Sequence, residues 1–328
     1  QFYATEMTVA PDSDTLNFYA RVKMMPVLIN EYSKGHGGFM LTAHITFVDD
    51  TVAIVTTDNT WMARRNGQYT APFRFDGTVT PDAYAPAWEI PNIWHPETAP
   101  IPARTEETLY PQDGDEIRIA ARSKKTVRLE YDRVYGAFLK VSAETNGLLV
   151  ATVECFELEE INSREELIFN TDTEYRGLQM HSVGGYIVSV ENCSDEEAVL
   201  HIGCIATCYP APECATIETG DKALNHVLEL CTQALKYCRQ TIHLDSPKHC
   251  EPLACTGDYY IESLMTAFSF GDMRLAAFDV RRTAEMLCRN DGRLFHTTYS
   301  LIWVMMLYDV YMFTGDRTLL TDCTDGMW

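Results

Sequence analysis

Three carboxylates lie within one short stretch, HLDSPKHCEPLACTGDYYIESL, which runs from residue 243 to residue 264. They are Asp245, Glu251 and Asp258, and two prolines interrupt the chain between them. A carboxyl group in a segment of low polarity ionises with difficulty, and neighbouring carboxylates raise its pKa further. Glu251 lies away from any capping position, so this stretch predicts a proton donor at near-neutral pH. Cleavage of a glycosidic bond requires such a group.

Both aspartates also have a purely structural interpretation. Asp245 is placed to act as an N-cap or in an Asx turn, and Asp258 is placed to cap a helix that begins near Tyr259. A zinc site is a further alternative, formed by four neighbouring side chains: His243, His249, Cys250 and Cys255. Because the segment has no C-x-x-C pair, which is a usual spacing of zinc ligands, we predict no metal here.

Tryptophan side chains are the second group of candidates, because aromatic rings can stack on sugar rings. Trp61, Trp88 and Trp94 lie in the N-terminal half, where burial in a core is the ordinary role of such large rings. Trp303 lies in the most apolar helical pattern of the chain. It either packs in the core or lines a pocket, and we retain it as a candidate for substrate contact.

The composition excludes several classes of protein. The 328 residues are 46% hydrophobic, which is enough for large cores, and the formal net charge is −21. Such an acidic chain lacks the clustered Lys and Arg that bind nucleic acids, and anionic membrane surfaces repel it. The longest apolar run, residues 301–313, is too short to span a bilayer. We predict neither a nucleic-acid nor a membrane partner, whereas a homo-oligomer stays open.

The eleven cysteines all lie between Cys155 and Cys323, which is not the pattern of a small secreted disulfide scaffold. The N-terminal residues, QFYATEMTVAPDSD, have neither the basic region nor the apolar core of a signal peptide. We therefore predict reduced thiols and a cytoplasmic location. Because the sequence lacks an initiator Met, we also expect residues upstream of it.

The first 210 residues have the period of two that is typical of β-strands. Residues 39–48 alternate apolar and mixed side chains. The pattern recurs in residues 126–131, 148–156, 186–190 and 198–205. Asn146-Gly147 and Gly184-Gly185 are turn signals. Since no helical pattern of useful length is present, we predict antiparallel β-sandwich domains with a seam at residues 121–126.

After Pro210 and Pro212 the period becomes 3.6, which predicts helices. The first has an apolar stripe of Leu224, Val227, Leu228, Cys231, Leu235 and Cys238. The second is expected to bury Ile261, Leu264, Met265 and Phe268, and the third Leu275, Phe278, Arg282 and Met286. A fourth, from Tyr299 to Phe313, is apolar almost all round and is expected to be buried on most sides.

Thr219 and Asp221 are natural N-caps of the first of these helices. The helices and their connecting loops indicate an array of α-hairpins. Because four helices are too few to close a helical toroid, we expect the helical domain to be incomplete within these 328 residues.

The stretch DSPKHCEPLACTGD, residues 245–258, resembles the D-C-P-Q-R-x-E-R-x-G-W-x-G-D signature of bacterial α-L-rhamnosidases, glycoside hydrolase family 78. Residues 295–316 are similar to that family's Y-S-L-W-W-x-x-x-L-Y-D-Y-Y-x-x-T-G-D helix. Residues 134–155 and 174–192 resemble its accessory β-domain. The resemblance covers most of the chain, and the signature at 245–258 is fairly specific.

The resemblance implies a multidomain β plus α fold. Antiparallel β-sandwich domains would precede the first α-hairpins of an (α/α)6 barrel. The corresponding divisions are an accessory β-sandwich at 1–122, a second β-sandwich at 123–210, and the N-terminal part of the catalytic domain at 211–328.

The resemblance also implies an activity, the hydrolysis of terminal α-L-rhamnose with inversion and without a metal or cofactor. The substrate would be a rhamnose-containing oligosaccharide or glycoside. By position, Glu251 matches the general acid, and Asp245 and Asp258 match residues that hold the sugar hydroxyls. We add His249 and Trp303 to the predicted substrate-binding residues. The family's general base lies further downstream, so we expect the 328-residue chain alone to be inactive.

This sequence departs from the signature at several positions. His249 and Pro252 stand where the family has Arg, and Ala254-Cys255 stands where it has Gly-Trp. Losing two guanidinium groups removes bidentate partners of the acidic cluster. Two alternatives therefore stay open, a barrel glycosidase that acts on another sugar and an inactive protein that binds carbohydrate.

Overall fold

The computed structural model describes residues 8, 16–20, 22, 38–71, 73–87, 102–210, 215–246, 255–294 and 296–327. These residues form thirteen β-strands and then five α-helices. The strands are β1 (Thr42–Thr46), β2 (Val52–Thr56), β3 (Met62–Ala63), β4 (Tyr69–Ala71), β5 (Arg74–Asp76), β6 (Ala85–Pro86), β7 (Thr105–Leu109), β8 (Glu116–Ile119), β9 (Lys124–Glu144), β10 (Leu149–Glu157), β11 (Glu160–Phe169), β12 (Thr173–Asn192) and β13 (Ala198–Cys208). The helices are α1 (Lys222–Cys238), α2 (Thr256–Ser269), α3 (Arg274–Arg289), α4 (Thr297–Thr314) and α5 (Arg317–Asp322), and a 3-10 turn follows at Thr324–Met327.

The main sheet has nine strands in the order β4-β5-β11-β10-β12-β9-β13-β7, with β8 also paired to β13. Among the described strands, every pairing is antiparallel except that of β5 with β11. Separate two-stranded sheets are formed by β1 with β2 and by β3 with β6. The predicted antiparallel β-structure is therefore confirmed.

Two long strands, β9 and β12, pair with each other along two stretches, and these stretches belong to two halves of the sheet. Residues 124–130 of β9 pair with residues 185–191 of β12, and residues 135–143 pair with residues 173–183. The register shifts between Val183 and Gly185. A single core cluster contains side chains from both halves, such as Leu149 of β10 and Ile202 of β13. Side chains from both halves of the sheet thus share one core.

The main sheet continues across the predicted division between residues 122 and 123. Strand β5 pairs with β11, and strands β7 and β8 pair with β13. Strands on either side of residue 122 therefore share one hydrogen-bonded sheet. The division of the chain into domains stays a prediction.

One of the two predicted glycine turns is present, whereas the other pair of glycines lies inside a strand. Gly147, between β9 and β10, has a φ of +153° and makes the expected turn. Gly184-Gly185 was expected to make a turn but lies inside β12, at the register shift. A Cβ on Gly185 would come within 2.3 Å of both the Leu129 carbonyl oxygen and the Phe156 ring. The glycine is needed there because two neighbouring chains approach its backbone closely.

The first helix begins where the sequence predicts, and the second begins three residues before its predicted start near Tyr259. Asp221 is the N-cap of α1, and its side chain accepts hydrogen bonds from the backbone N–H groups of Ala223 and Leu224. Thr219 supports this turn by donating its hydroxyl group to Asn225 Oδ1 at 2.6 Å. Helix α2 begins at Thr256 with Cys255 as N-cap, so Asp258 lies in its first turn instead of capping it.

Three of the predicted buried helix faces are wrong for this chain. On α1, Leu224, Val227 and Cys231 are exposed, whereas Leu235 is buried. On α2, Phe268 is 73% exposed, and the helix buries Tyr259, Glu262, Ser263 and Thr266 instead. On α4, Trp303, Met306, Leu307 and Val310 are buried, while Leu301, Val304, Met305, Tyr308, Met312 and Phe313 are exposed. The tertiary partners of each helix, and not its apolar stripe, decide which face is covered.

The helices pack on the sheet and on one another. Tyr237 of α1 joins the core of the sheet, where its ring meets the ring of Tyr135 edge-on at 5.5 Å. A second cluster contains most of the buried apolar side chains of α2, α3 and α4, and Met180 of β12 packs into it. The helical segment therefore rests against the β-structure through shared apolar contacts.

Among the described residues, no helix is long and apolar enough to cross a membrane. All nine cysteines that the structure describes are free thiols. The cytoplasmic location that we predicted from cysteine usage stays a prediction.

Candidate functional site

A polar stripe on α2 points toward the interior of the helical segment. Asp258, Glu262 and Thr266 are spaced four residues apart, so they lie on one face of the helix. Their burial deepens along the helix, from a half-buried Asp258 to a 9% exposed Glu262 and a fully buried Thr266. Asp258 lies in the first helical turn, where the helix dipole favours a negative charge.

Helix α1 brings a second acidic residue to this stripe. The segment after α1 carries Asp245, which is half-buried and whose Oδ1 accepts a hydrogen bond from the Ser246 N–H at 2.6 Å. The Cys238 thiol, at the end of α1, lies 4.0 Å from the Asp245 carbonyl oxygen. Cys238 also lies close enough to Glu262 to oppose the rise in the pKa of its carboxyl group. Cys238 therefore joins the Asp245 segment to α2.

The carboxyl group of Glu262 is the most perturbed acid of the cluster. Burial is the largest cause, and the negative charges of Asp279, Asp258 and Asp245 add to it, so that the pKa of Glu262 is raised to about 9. A carboxyl group with this pKa is protonated at neutral pH. The cluster thus holds one carboxyl group that keeps its proton at neutral pH, with other acids nearby.

A buried hydrogen-bonded group lies beneath the stripe. His243 Nδ1 lies 2.7 Å from Asp279 Oδ2 on α3, and His243 Nε2 lies 3.0 Å from the Thr266 hydroxyl group on α2. All three side chains are fully buried. Burial raises the pKa of Asp279, and its hydrogen bond from His243 opposes that shift. His243 stands two residues before Asp245, so this group anchors the start of the acidic segment between α2 and α3.

The structure describes two of the predicted residues of the acidic segment and leaves two others outside its described ranges. Asp245 and Asp258 are brought together around Glu262, because the charges of both raise its pKa. Glu251 and His249 lie outside the described residues, in the gap from 247 to 254 between them. The role of each of these four residues in catalysis or binding stays a prediction.

Trp303 lies in the apolar cluster of the helices. Its ring is fully buried, and its Nε1 donates a hydrogen bond to the Val280 carbonyl oxygen at 2.9 Å. This position agrees with the core interpretation of the residue. Substrate contact stays a prediction, and it requires the packing around the ring to open.

The described residues contain no group of three or more His, Cys, Asp or Glu side chains that could hold a metal ion. His243, one of the four side chains of the alternative zinc site, is hydrogen-bonded with Asp279 and Thr266. Cys250 and His249 lie outside the described ranges. The prediction that no metal takes part remains open at those positions.

Sequence reasoning missed Glu262, Asp279 and the role of His243. A signal for Glu262 was present, since polar residues recur at positions 258, 262 and 266. We took the apolar face of α2 as the buried one, and this choice concealed the stripe. Asp279 carries no such signal, because its pairing with His243 joins positions 36 residues apart.

The chain matches no known family model and no curated protein. Its fold is similar to solved α-L-rhamnosidase structures. The enzyme from Dictyoglumus thermophilum is 14% identical, with a TM-score of 0.61 and coverage of 90% of this chain and 38% of that one. A rhamnosidase from Klebsiella oxytoca with rhamnose bound is 16% identical, with a TM-score of 0.58 and coverage of 70% and 57%. The Streptomyces avermitilis enzyme complexed with L-rhamnose is 14% identical, with a TM-score of 0.57 and coverage of 88% and 31%.

These similarities show that the chain shares the fold of α-L-rhamnosidases. The chain spans less than two thirds of the length of each of these proteins, from 31% to 57%. At such low sequence identity the likeness concerns the fold alone. What those enzymes bind is therefore carried to this chain only as a proposal.

Proposed function

We propose that the protein is a glycoside hydrolase that cleaves terminal α-L-rhamnose from an oligosaccharide or glycoside. The observation that carries the proposal is the nearness of Asp245 and Asp258 to the buried Glu262 of α2, in a chain with the rhamnosidase fold. These residues flank both ends of the segment that contains Glu251. Glycosidic cleavage by Glu251 requires surroundings in which a carboxyl group keeps its proton, and this cluster has such surroundings at Glu262.

Each predicted residue has a role in this mechanism. Glu251 is the general acid that protonates the departing glycosidic oxygen. Asp245 and Asp258 hold sugar hydroxyl groups, since ionised carboxylates accept hydrogen bonds from them. His249 binds substrate where the signature has Arg. Inversion further requires a general base that activates water on the opposite face of the sugar, at roughly 6.5–9.5 Å from the acid.

We further propose that α1–α5 are the first hairpins of an (α/α)6 barrel. The exposed apolar faces of α2 and α4 support this, because an apolar helix face is normally covered by another element. In such a barrel the polar stripe of α2 would face the substrate, and the outward apolar faces would meet further helices. The division at 1–122, 123–210 and 211–328 belongs to the same proposal.

The substitution Glu251→Gln tests the function in the full-length protein. Its amide keeps the shape of the side chain but cannot give up a proton, so turnover of an aryl α-L-rhamnoside should fall by about 10²–10⁴-fold. Binding of L-rhamnose, measured by calorimetry, should stay near the wild-type value. Glu285→Gln, an exposed change on α3, is the matched control and should keep full turnover.

Three outcomes separate the alternatives. A wild-type protein that hydrolyses another aryl glycoside but not the rhamnoside points to a glycosidase with different sugar specificity. One that binds sugar, with no turnover before or after the substitution, points to an inactive carbohydrate-binding protein. Undiminished turnover in Glu251→Gln would contradict the assignment of the acid.

A further inference from the structure

Glu262 is a buried acid that the sequence signature does not include. It lies one helical turn beyond Asp258 and is only 9% exposed. The Cys238 thiol lies near its carboxyl group and opposes the rise in its pKa. Its Oε2 is buried and has no hydrogen-bond partner among the described residues. A buried polar atom without a partner costs free energy, so its presence calls for a functional explanation.

The charged and titratable groups around Glu262 come from every element packed against it. Helix α1 contributes Cys238, the segment after it contributes Asp245, α2 contributes Asp258, and α3 contributes Asp279. The charge of Arg282 acts on Asp279 and so lies one contact further away. Burial and three acidic side chains are the causes that raise the pKa of Glu262 most. The surroundings therefore disfavour a negative charge on its carboxyl group.

We propose that Glu262 is a sugar-binding residue whose buried carboxyl group hydrogen-bonds a hydroxyl of the substrate near Asp245 and Asp258. This inference rests on the proposed function and deepens it. An ionised carboxylate can only accept hydrogen bonds, whereas the protonated carboxyl group of Glu262 also donates one. A site that combines such a donor with acceptor oxygens fits the hydroxyl groups of a neutral sugar.

A neutral sugar fits this site better than a cation does. A cation would require Glu262 to lose its proton. With a pKa of about 9, its carboxyl group keeps that proton at neutral pH. A sugar hydroxyl satisfies the buried Oε2 without any change of charge. Its binding therefore removes the cost of the unpaired atom.

Two substitutions in the full-length protein test this role, with L-rhamnose as the probe and calorimetry as the measurement. Glu262→Ala removes the donor and should weaken binding at pH 7 by about 10-fold or more. Glu262→Gln keeps a neutral hydrogen-bonding group of the same shape and should bind within about threefold of wild type. Glu285→Gln is the exposed control and should bind like wild type.

The pH dependence of binding distinguishes a substrate contact from a structural role. Wild-type affinity should fall as the pH rises through about 9, because Glu262 then loses its proton and cannot donate. Glu262→Gln should lack this fall, and Glu285→Gln should keep it. Thermal unfolding of each variant at pH 7 confirms that the fold is retained.

The outcomes are distinct for the two proposals. Wild-type binding in Glu262→Ala, or the wild-type alkaline fall in Glu262→Gln, overturns the role of Glu262 and leaves the proposed function standing. Loss of turnover in Glu251→Gln together with weak binding in Glu262→Ala supports both. A wild-type protein that binds no sugar at all overturns both.

Discussion

Among single residues, the four carboxyl groups of Asp245, Asp258, Glu262 and Asp279 determine the electrostatics where α1, α2 and α3 meet. They come from different elements, and the nearby His243 is bonded to Asp279 alone of the four. Because like charges at short range cannot all ionise in a buried place, the deepest carboxyl of the stripe keeps its proton. Glu262 therefore links the protonation of the site to the stability of the fold.

This linkage predicts a pH-dependent stability. The pKa of Glu262 is about 9 in the folded chain and near 4.5 when exposed, so the folded state binds the extra proton between these values. Its contribution is fully present below pH 4.5 and is lost as the pH rises toward 9. We expect Glu262→Gln to remove this loss, worth on the order of a few kcal/mol. Urea unfolding at pH 5, 7 and 9 measures it.

The control for this prediction is Glu285→Gln. Its carboxyl group is exposed beside Arg289 on α3, so the pH dependence of unfolding should match that of wild type. If Glu262→Gln and wild type lose stability equally between pH 5 and pH 9, the buried proton is not on Glu262.

Among the secondary-structure elements, the bend of β12 shows how local sequence serves a long-range contact. The sequence Gly184-Gly185 predicts a turn, yet strand β12 continues through both glycines with a shift in its register against β9. The backbone of Leu129 and the ring of Phe156 come too close to Gly185 for any side chain to fit. The bend lets β9 and β12 serve both halves of the sheet.

We therefore expect Gly185→Ala to destabilise the protein severely. The new methyl group would overlap a carbonyl oxygen and an aromatic ring at 2.3 Å, so backbone must move, at a cost of about 3 kcal/mol or more. Gly220→Ala is the matched control, because nothing lies within 4 Å of its added methyl group. Chemical denaturation measures both, and equal stability of the two variants would contradict the close approach.

For the whole molecule, the helical segment exposes much of its apolar surface. Phe268 of α2 and Phe313 of α4 meet edge-on at 5.5 Å, and both rings remain open on their outer sides. Leu301 is 72% exposed on α4. Exposed apolar areas of this kind mark surfaces that other protein elements cover. The proposed barrel would supply that cover.

The same substitutions in the 328-residue chain and in the full-length protein test whether further helices cover this apolar surface. In the 328-residue chain, Leu301→Ser should cost less than about 0.5 kcal/mol, because the side chain is exposed. In the full-length protein it should cost about 2–5 kcal/mol if further helices bury it. Leu307→Ala, at a site only 3% exposed, should cost about 2–5 kcal/mol in both. Equal small costs of Leu301→Ser in the two lengths would argue against the barrel.

The sequence by itself determined the local structure. The change of period near residue 210, the turn at Gly147 and the N-cap Asp221 are set by residues close in the chain, and all three are found in the structure. The pair Asp245 and Asp258 was recognised in the same way, from a short motif. Such features depend on backbone preferences and local hydrogen bonds, which a sequence records directly.

Only the tertiary structure decided which faces are buried. Helix α2 turns Glu262 and Thr266 inward and Phe268 outward, and His243 on the inner side is within hydrogen-bond distance of the Thr266 hydroxyl group. Helical periodicity states which residues share a face, but the partner across that face comes from a distant part of the chain. Burial, and with it the raised pKa of Glu262, is therefore a property of the assembled fold.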